Sequence, residues 1–145
     1  MDNNIADIYS LLQEIAWYFG DHGLGGECCA DLSFVEFMAL KKAYENKDSS
    51  IQDIGNALNF TKSGSTRIID RLENKGYIIR ERSALDARVC CVPVTIKGTE
   101  VMKSVLDERN RELNEILKNL DSEMIEQIKD VLDILVTPIQ QQETI

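Results

Sequence analysis

The sequence has little proline, a single histidine and no long hydrophobic run. Its two prolines leave long stretches of the 145-residue chain free to form helices. The longest unbroken apolar run, from Ile15 to Phe19, is far too short to cross a membrane. The N-terminal residues Met1 to Asn4 carry no basic side chain, which argues against a secretory signal. We therefore expect a single-domain cytoplasmic protein.

The scarcity of histidine also narrows the chemistry. His22 stands among glycines, and the chain has no Ser/His/Asp set, phosphate-binding glycine loop or dinucleotide fingerprint, so we expect neither an enzyme nor a cofactor. The four cysteines form two adjacent pairs that we expect to be reduced thiols: Cys28-Cys29 and Cys90-Cys91. His22 with the first pair could hold a thiophilic metal, although the spacing of a zinc site is missing. A metal site therefore stays an open question.

Acidic charge predominates, but the basic charge is concentrated in one segment. The chain has 16 basic and 25 acidic residues, for a net charge of −9. Residues 62–97 contain eight basic and four acidic side chains, so this segment carries +4 and the remainder −13. A basic segment in an acidic protein indicates a surface that meets a polyanion, and the alternative is an ordinary solvated charged surface.

Hydrophobic periodicity and capping residues predict four helices in the first half of the chain. Apolar residues recur at helical spacing after the N-terminus, and the Ser33–Glu36 capping box opens a second helix. Gly55 lies inside a short third helix, where its missing side chain would let a neighbouring helix approach closely. The predicted ranges are 4–20, 33–46, 50–58 and 62–75.

The second half predicts a hairpin followed by two helices. Two short β-branched runs, 77–82 and 89–94, flank a polar loop, which is typical of a β-hairpin. Helical spacing then returns over about 96–119. A final helix, capped by Asp121 or Ser122, is predicted to end before Pro138.

This order of elements predicts a mainly α protein with a small β-hairpin wing, a winged helix-turn-helix. In that fold the second helix of the pair enters the major groove of DNA, and the hairpin reaches the flanking minor groove. The side chains that we expect to face outward from that helix combine small hydroxyls with long cationic donors: Lys62, Ser63, Ser65, Thr66, Arg67 and Arg71. Arg88, beyond the wing loop, is placed to enter a narrow minor groove.

Nearly the whole chain resembles the MarR family of bacterial and archaeal regulators. The resemblance is carried by Leu32–Phe37, Lys62–Ile78, Arg82–Arg88 and Val94–Gly98. The wing's Asp-x-Arg pattern, followed by a hydrophobic-Thr-x-x-Gly segment, is its most specific part. The resemblance implies that Arg88 is a wing-tip arginine held in place by Asp86. It also implies that five residues of the recognition helix contact double-stranded DNA: Ser63, Ser65, Thr66, Arg67 and Arg71.

The resemblance also implies a triangular homodimer on pseudo-palindromic DNA. It makes 1–145 one MarR-type domain, in which 33–98 is the winged lobe and 1–32 with 99–145 is a helical dimerisation region. The apolar stripes of the first and last helices independently indicate a partner surface. We expect a transcriptional regulator that represses its target genes. The alternative is a winged-helix protein-interaction module that does not bind DNA.

The sequence departs from the family in the recognition helix and in its cysteine pairs, and the cysteine pairs leave the inducing signal open. Gly64 and Ser65 stand where the family often has a bulkier Thr-Val pair, so the base preference is unreadable. Family members commonly respond to small aromatic ligands between the dimer helices and the lobe, and others use reactive cysteines. Cys28 and Cys29 are therefore a candidate thiol or soft-metal sensor, and a small-molecule effector is the stronger rival.

Overall fold

A computed structural model describes residues 3–20 and 30–141. Within these ranges the chain forms six helices and one two-stranded hairpin. The helices are α1 (Asn3–Phe19), α2 (Phe34–Glu45), α3 (Ile51–Leu58), α4 (Lys62–Asn74), α5 (Ile96–Leu117) and α6 (Ser122–Gln141), and the strands are β1 (Glu81–Arg82) and β2 (Cys90–Cys91). The predicted mainly α fold with a hairpin wing is confirmed.

The helices begin where side chains satisfy their first backbone N–H groups. The Ser33 hydroxyl accepts a hydrogen bond from the backbone of Glu36 at 3.1 Å, and the Glu36 carboxylate accepts one from the backbone of Ser33 at 3.0 Å. The side chains that cap the next three helices are Ser50, Thr61 and Thr95. At the other end, α4 stops before Gly76, whose φ of +83° favours glycine.

A closed core holds α2, α3, α4, the base of the wing and the first half of α5 together. Its largest fully buried side chains come from all of these parts: Leu40, Ile54, Ile69, Leu72, Ile78, Val92 and Met102. The α3 and α4 helices pack closely at Gly55, because a Cβ atom there would lie 2.3 Å from the Ser65 hydroxyl oxygen. The predicted close approach at Gly55 is therefore confirmed.

The wing is shorter than the sequence predicts. Only Glu81 and Arg82 pair with β2 as a continuous ladder, and an isolated bridge joins Ile78 to Val94. The ladder is interrupted at Pro93, which has no N–H to donate back to Ile79, although the Ile79 N–H still donates to the Pro93 carbonyl at 3.1 Å. The N–H of Val92 points away from the hairpin and donates to the carbonyl of Ser49 at 3.0 Å.

The last helix is longer than predicted. The expectation that it ends before Pro138 is wrong, because α6 continues through this proline to Gln141. Proline removes one backbone N–H and lies in the last turn, so only one helical hydrogen bond near the end is lost. The start is as predicted, since the Asp121 carboxylate accepts a hydrogen bond from the backbone of Met124 at 2.8 Å.

The first and last helices bury none of their residues in the part of the chain that the structure describes. In α5, the buried positions all belong to the first half: Gly98, Met102 and Val105. Large apolar side chains therefore stay exposed along α1, the end of α5 and α6, including Ile5, Ile8, Ile15, Leu113, Ile116, Ile125, Val131 and Leu132. Within the described ranges, no helix has the length and apolar character needed to span a bilayer.

Candidate nucleic-acid interface

The exposed face of α4 carries the predicted hydroxyl and cationic side chains. Lys62, Ser63, Thr66 and Arg67 border one shallow, open surface together with Asp70. The Thr66 hydroxyl donates to the backbone carbonyl of Lys62 at 3.1 Å, so it lies flat on the helix and leaves the surface thin. Such a surface lets the helix backbone approach a partner closely.

Ser65 does not belong to this face, and the expectation that it points outward is wrong. Its side chain is buried, with 4% of the residue exposed, and its hydroxyl donates to the carbonyl of Thr61 at 2.9 Å. Ser65 faces Gly55 of α3. It stands four residues before Ile69, which is also buried, and so lies on the same side of α4. It therefore helps to pack the two helices of the helix-turn-helix and is not available to contact DNA.

Arg71 lies on the flank of α4 that faces the turn. With Arg67 it lines a groove of about 360 Å³ whose wall includes Val35, Phe60 and Ile68. Gly64 also borders this groove, and a Cβ atom there would lie 2.9 Å from the Thr61 hydroxyl oxygen. The small residue thus keeps the N-terminal turn of α4 thin.

At the wing, Asp86 orients Arg88. The Arg88 Nε and Nη2 atoms donate to the two Asp86 carboxylate oxygens at 3.1 and 3.2 Å, and the Arg88 backbone N–H donates to Oδ1 at 3.0 Å. These hydrogen bonds lower the pKa of Asp86 below its usual value. The Arg88 side chain is nevertheless 90% exposed, so its guanidinium is oriented but still available to a partner.

The wing arginine and the start of α4 border the same space. Arg88 lines a cavity of about 430 Å³ together with Lys62 and Thr66 of α4. The α3 helix contributes Gln52 and Asn56 to the wall of this cavity. Two groups that are more than twenty residues apart in sequence therefore lie on one side of the molecule, as a combined groove-binding surface requires.

Arg80 links the wing to α4, a role that the sequence analysis did not predict. Its side chain forms ion pairs with Asp70 and with Glu73, and its backbone N–H donates to the Glu73 carboxylate at 3.1 Å. These contacts, led by Asp70, raise the pKa of Arg80 and tie the base of the wing to α4. Both carboxylates of α4 pair with Arg80, and within the described residues the three cations of that helix form no ion pair: Lys62, Arg67 and Arg71.

A polar cluster behind the surface fixes the C-terminal end of α4. The Lys75 ammonium lies 3.0 Å from Oε2 of Glu36 and donates to the carbonyl of Asp31 at 2.7 Å. Burial alone would raise the pKa of Glu36, but hydrogen bonds from Ser33 and Lys75 outweigh it and lower that pKa. Burial and a hydrogen bond to Asp31 raise the pKa of Tyr77 to about 12, so its hydroxyl stays protonated.

The two cysteine pairs differ in what the structure shows. Cys28 and Cys29 lie outside the described residues, as does His22. Cys90 and Cys91 are free, half-buried thiols at the base of the wing, and their sulfur atoms approach different backbone carbonyls. Within residues 3–20 and 30–141, no group of three histidine, cysteine, aspartate or glutamate side chains is arranged to hold a metal ion.

Comparison with known proteins gives one consistent family. Residues 32–90 match the model of the MarR family. The chain is 29% identical over 101 residues to the HTH-type transcriptional regulator MhqR of Bacillus subtilis, covering 70% of each. It is 30% identical over 109 residues to the transcriptional repressor MprA of Escherichia coli, covering 74% of this chain and 62% of MprA. A MarR family protein of Bacillus stearothermophilus superposes with a TM-score of 0.83 at 24% identity, over 96% of this chain and 98% of that one.

Proposed function

The chain belongs to the MarR family, and we propose that it is a cytoplasmic transcriptional repressor that binds a pseudo-palindromic operator in double-stranded DNA as a homodimer. The observation that carries the proposal is the shared cavity. It brings the start of α4 and the oriented Arg88 to one side of the lobe. We propose repression rather than activation of transcription because the relative MprA is a transcriptional repressor.

The exposed residues divide into two roles in this proposal. Arg67 and Arg71 are long bidentate donors, suited to read base edges in the major groove. Lys62, Ser63 and Thr66 lie at the start of α4, where short polar side chains and backbone N–H groups suit phosphate contacts. Arg88 enters the minor groove, and Asp86 positions its guanidinium without touching DNA.

The homodimer in this proposal uses the apolar faces that the described chain leaves exposed. We assign residues 33–98 to the DNA-binding lobe and residues 1–32 with 99–145 to the dimerisation region. The exposed apolar stripes of α1 and α6 would be buried by the same stripes of a second copy. Two-fold symmetry then places the half-sites about 10 base pairs apart, one turn of the double helix.

The proposed regulator is released from DNA by a small-molecule effector or by a thiol or metal signal at Cys28 and Cys29. The experiment measures operator binding by wild type and by the Cys28→Ser/Cys29→Ser double variant, before and after addition of peroxide or a thiophilic metal. Release of wild type alone would support the cysteine sensor. Equal release of both proteins, or of neither, would show that this pair is not the sensor.

Binding to duplexes recovered from genomic fragments tests DNA recognition. We expect the wild-type affinity to fall steeply with salt, because phosphate contacts release counterions. Arg67→Ala should cost about 1–3 kcal/mol and relax preference at one base position, whereas Arg88→Ala should weaken binding more evenly across sequences. Failure to bind any duplex would refute the proposal and favour a winged protein-interaction module. Unchanged affinity of Arg88→Ala at physiological salt would refute the role given to the wing.

A further inference from the structure

The tip of the wing presents an apolar side chain to solvent. Leu85 is 99% exposed, more than any other large hydrophobic residue in the part of the chain that the structure describes. Its neighbours Ala84 and Ala87 are also exposed, and their small side chains do not shield it. Leu85 therefore adds nothing to the core of the lobe, and its side chain is accessible to a partner.

Hydrogen bonds fix the backbone on both sides of Leu85. The Ser83 hydroxyl oxygen accepts from the backbone N–H groups of Leu85 and Asp86 at 3.2 and 3.4 Å. Two backbone hydrogen bonds of 3.0 Å close the hairpin behind it. The Ser83 N–H donates to the carbonyl of Val89, and the Val89 N–H donates to the carbonyl of Asp86. The leucine is thus presented on an ordered turn, so docking it costs little conformational entropy.

Two arginines flank this tip. Arg88 lies on one side with its guanidinium oriented by Asp86, and Arg82 on the other donates to the carbonyl of Ala87 at 3.2 Å. Ser83 and Ala84 separate the leucine from Arg82, and Asp86 and Ala87 separate it from Arg88, which binds the Asp86 carboxylate. The tip is therefore a narrow apolar ridge with one arginine on each side. The minor groove of DNA has a matching form, about 6 Å wide, with apolar sugar walls below two rows of phosphates.

We propose that Leu85 packs against the deoxyribose walls of the minor groove at each flank of the operator, beside Arg88, and so makes the protein sensitive to groove width there. This inference rests on the proposed function, because it assumes that the wing meets DNA. Apolar side chains in minor grooves contribute through contact area and groove shape rather than through charge. The leucine and arginine contributions should therefore respond differently to salt.

The experiment measures affinity against salt concentration for wild type, Leu85→Ala, Leu85→Met and Arg88→Ala on a duplex that wild type recovers from genomic fragments. We expect Leu85→Ala to weaken binding about tenfold, the effect of removing roughly two buried methylene groups. The slope of log affinity against log salt should stay that of wild type. Leu85→Met keeps the apolar volume and should bind as wild type does. Arg88→Ala should flatten the slope by about two contacts, one from each subunit of the dimer.

Two controls locate the effect. Ile96→Ala removes another strongly exposed apolar side chain, at the first residue of α5, and should leave affinity unchanged. On a duplex trimmed of both outer flanks, Leu85→Ala and wild type should bind equally. Wild-type affinity for Leu85→Ala on the full duplex, or a slope as flat as that of Arg88→Ala, would overturn the inference and leave the DNA-binding proposal intact. A wild-type protein that binds no duplex would refute both.

Discussion

The winged lobe and the terminal helices differ in how much of their apolar surface the chain itself buries. In the lobe, α2, α3, α4 and the first half of α5 close around a core in which Leu40, Ile69 and Leu72 are fully buried. In α1 and α6, apolar side chains recur at the same helical spacing, but none of the described residues is buried. The lobe buries its apolar surface within its own chain, and the terminal helices leave theirs exposed within the described residues.

This difference indicates which part of the molecule would set the geometry of the proposed dimer. Monomeric proteins rarely expose contiguous apolar surfaces as large as those of α1 and α6. In the proposed dimer, the helices that bury these surfaces would also fix the separation of the two lobes, and so the spacing of two half-sites on DNA. The lobes would supply the DNA contacts, and the terminal helices would determine the distance between them.

The largest expected effect comes from placing a charge in the apolar stripe of α6. Leu135 is among the least exposed residues of this helix, and Leu135→Asp would bury a carboxylate in the dimer interface. We expect the dimer to dissociate and DNA binding to be lost, measured by sedimentation and by duplex titration.

The matched control uses the other face of the same helix. Ile134 is 72% exposed and lies among acidic residues on the polar side, so Ile134→Asp should leave the dimer intact. If both variants dissociate, or if Leu135→Asp remains a stable dimer, the assignment of the interface stripe is wrong.

Within the lobe, the largest effect should come from Gly55→Ala. The added Cβ atom would lie 2.3 Å from the Ser65 hydroxyl oxygen, so either this hydroxyl must rotate away from its hydrogen bond to Thr61 or the two helices must separate. We expect a loss of about 3 kcal/mol in the free energy of unfolding, the cost of overpacking a tight contact. Adding Ser65→Ala removes the clashing oxygen and should recover part of this loss. An additive double variant would show that the two residues are not in contact.

Lys75→Met tests the polar cluster that fixes the end of α4. The carboxylate of Glu36 would lose its cationic partner, and we expect a loss of about 2 kcal/mol at neutral pH. Since the pKa of Glu36 is lowered in the folded protein, its contribution is present above its unfolded pKa and disappears as the pH falls through the folded value. Unfolding curves of variant and wild type should therefore converge in acid. A difference that is independent of pH would contradict this role.

The smallest predicted effect concerns the orientation of Arg88. Asp86→Ala frees the guanidinium and should weaken DNA binding about threefold, the cost of ordering one long side chain. Glu81→Ala removes a negative charge from the same wing without touching Arg88. If the two variants bind DNA equally, the Asp86 contact does not position the arginine.

The sequence predicts the helices well because their starts are capped by local side chains. Ser33, Ser50 and Thr61 act on backbone groups three residues away, so their function is readable from the pattern alone. The interruption of the wing could have been predicted from Pro93, which has no N–H to donate across the hairpin. The hydrogen bond from Val92 to Ser49 could not, because it joins segments more than forty residues apart.

The site shows the same division between local and distant information. The position of Ser65 could have been predicted, because it lies four residues before Ile69 and seven before Leu72, on the buried stripe of α4. Arg80 could not be predicted as a link between the wing and α4, because its partners Asp70 and Glu73 stand at no periodic spacing from it. Only the folded hairpin brings them together.

The central claim is that the terminal helices join two self-contained lobes into a dimer. Sedimentation of the wild-type protein, alone and with a duplex that it recovers from genomic fragments, tests this claim most directly. We predict a dimer at micromolar concentration in the absence of DNA and two chains on each duplex in its presence. A stable, folded monomer at that concentration, binding as one chain per duplex, would contradict the account.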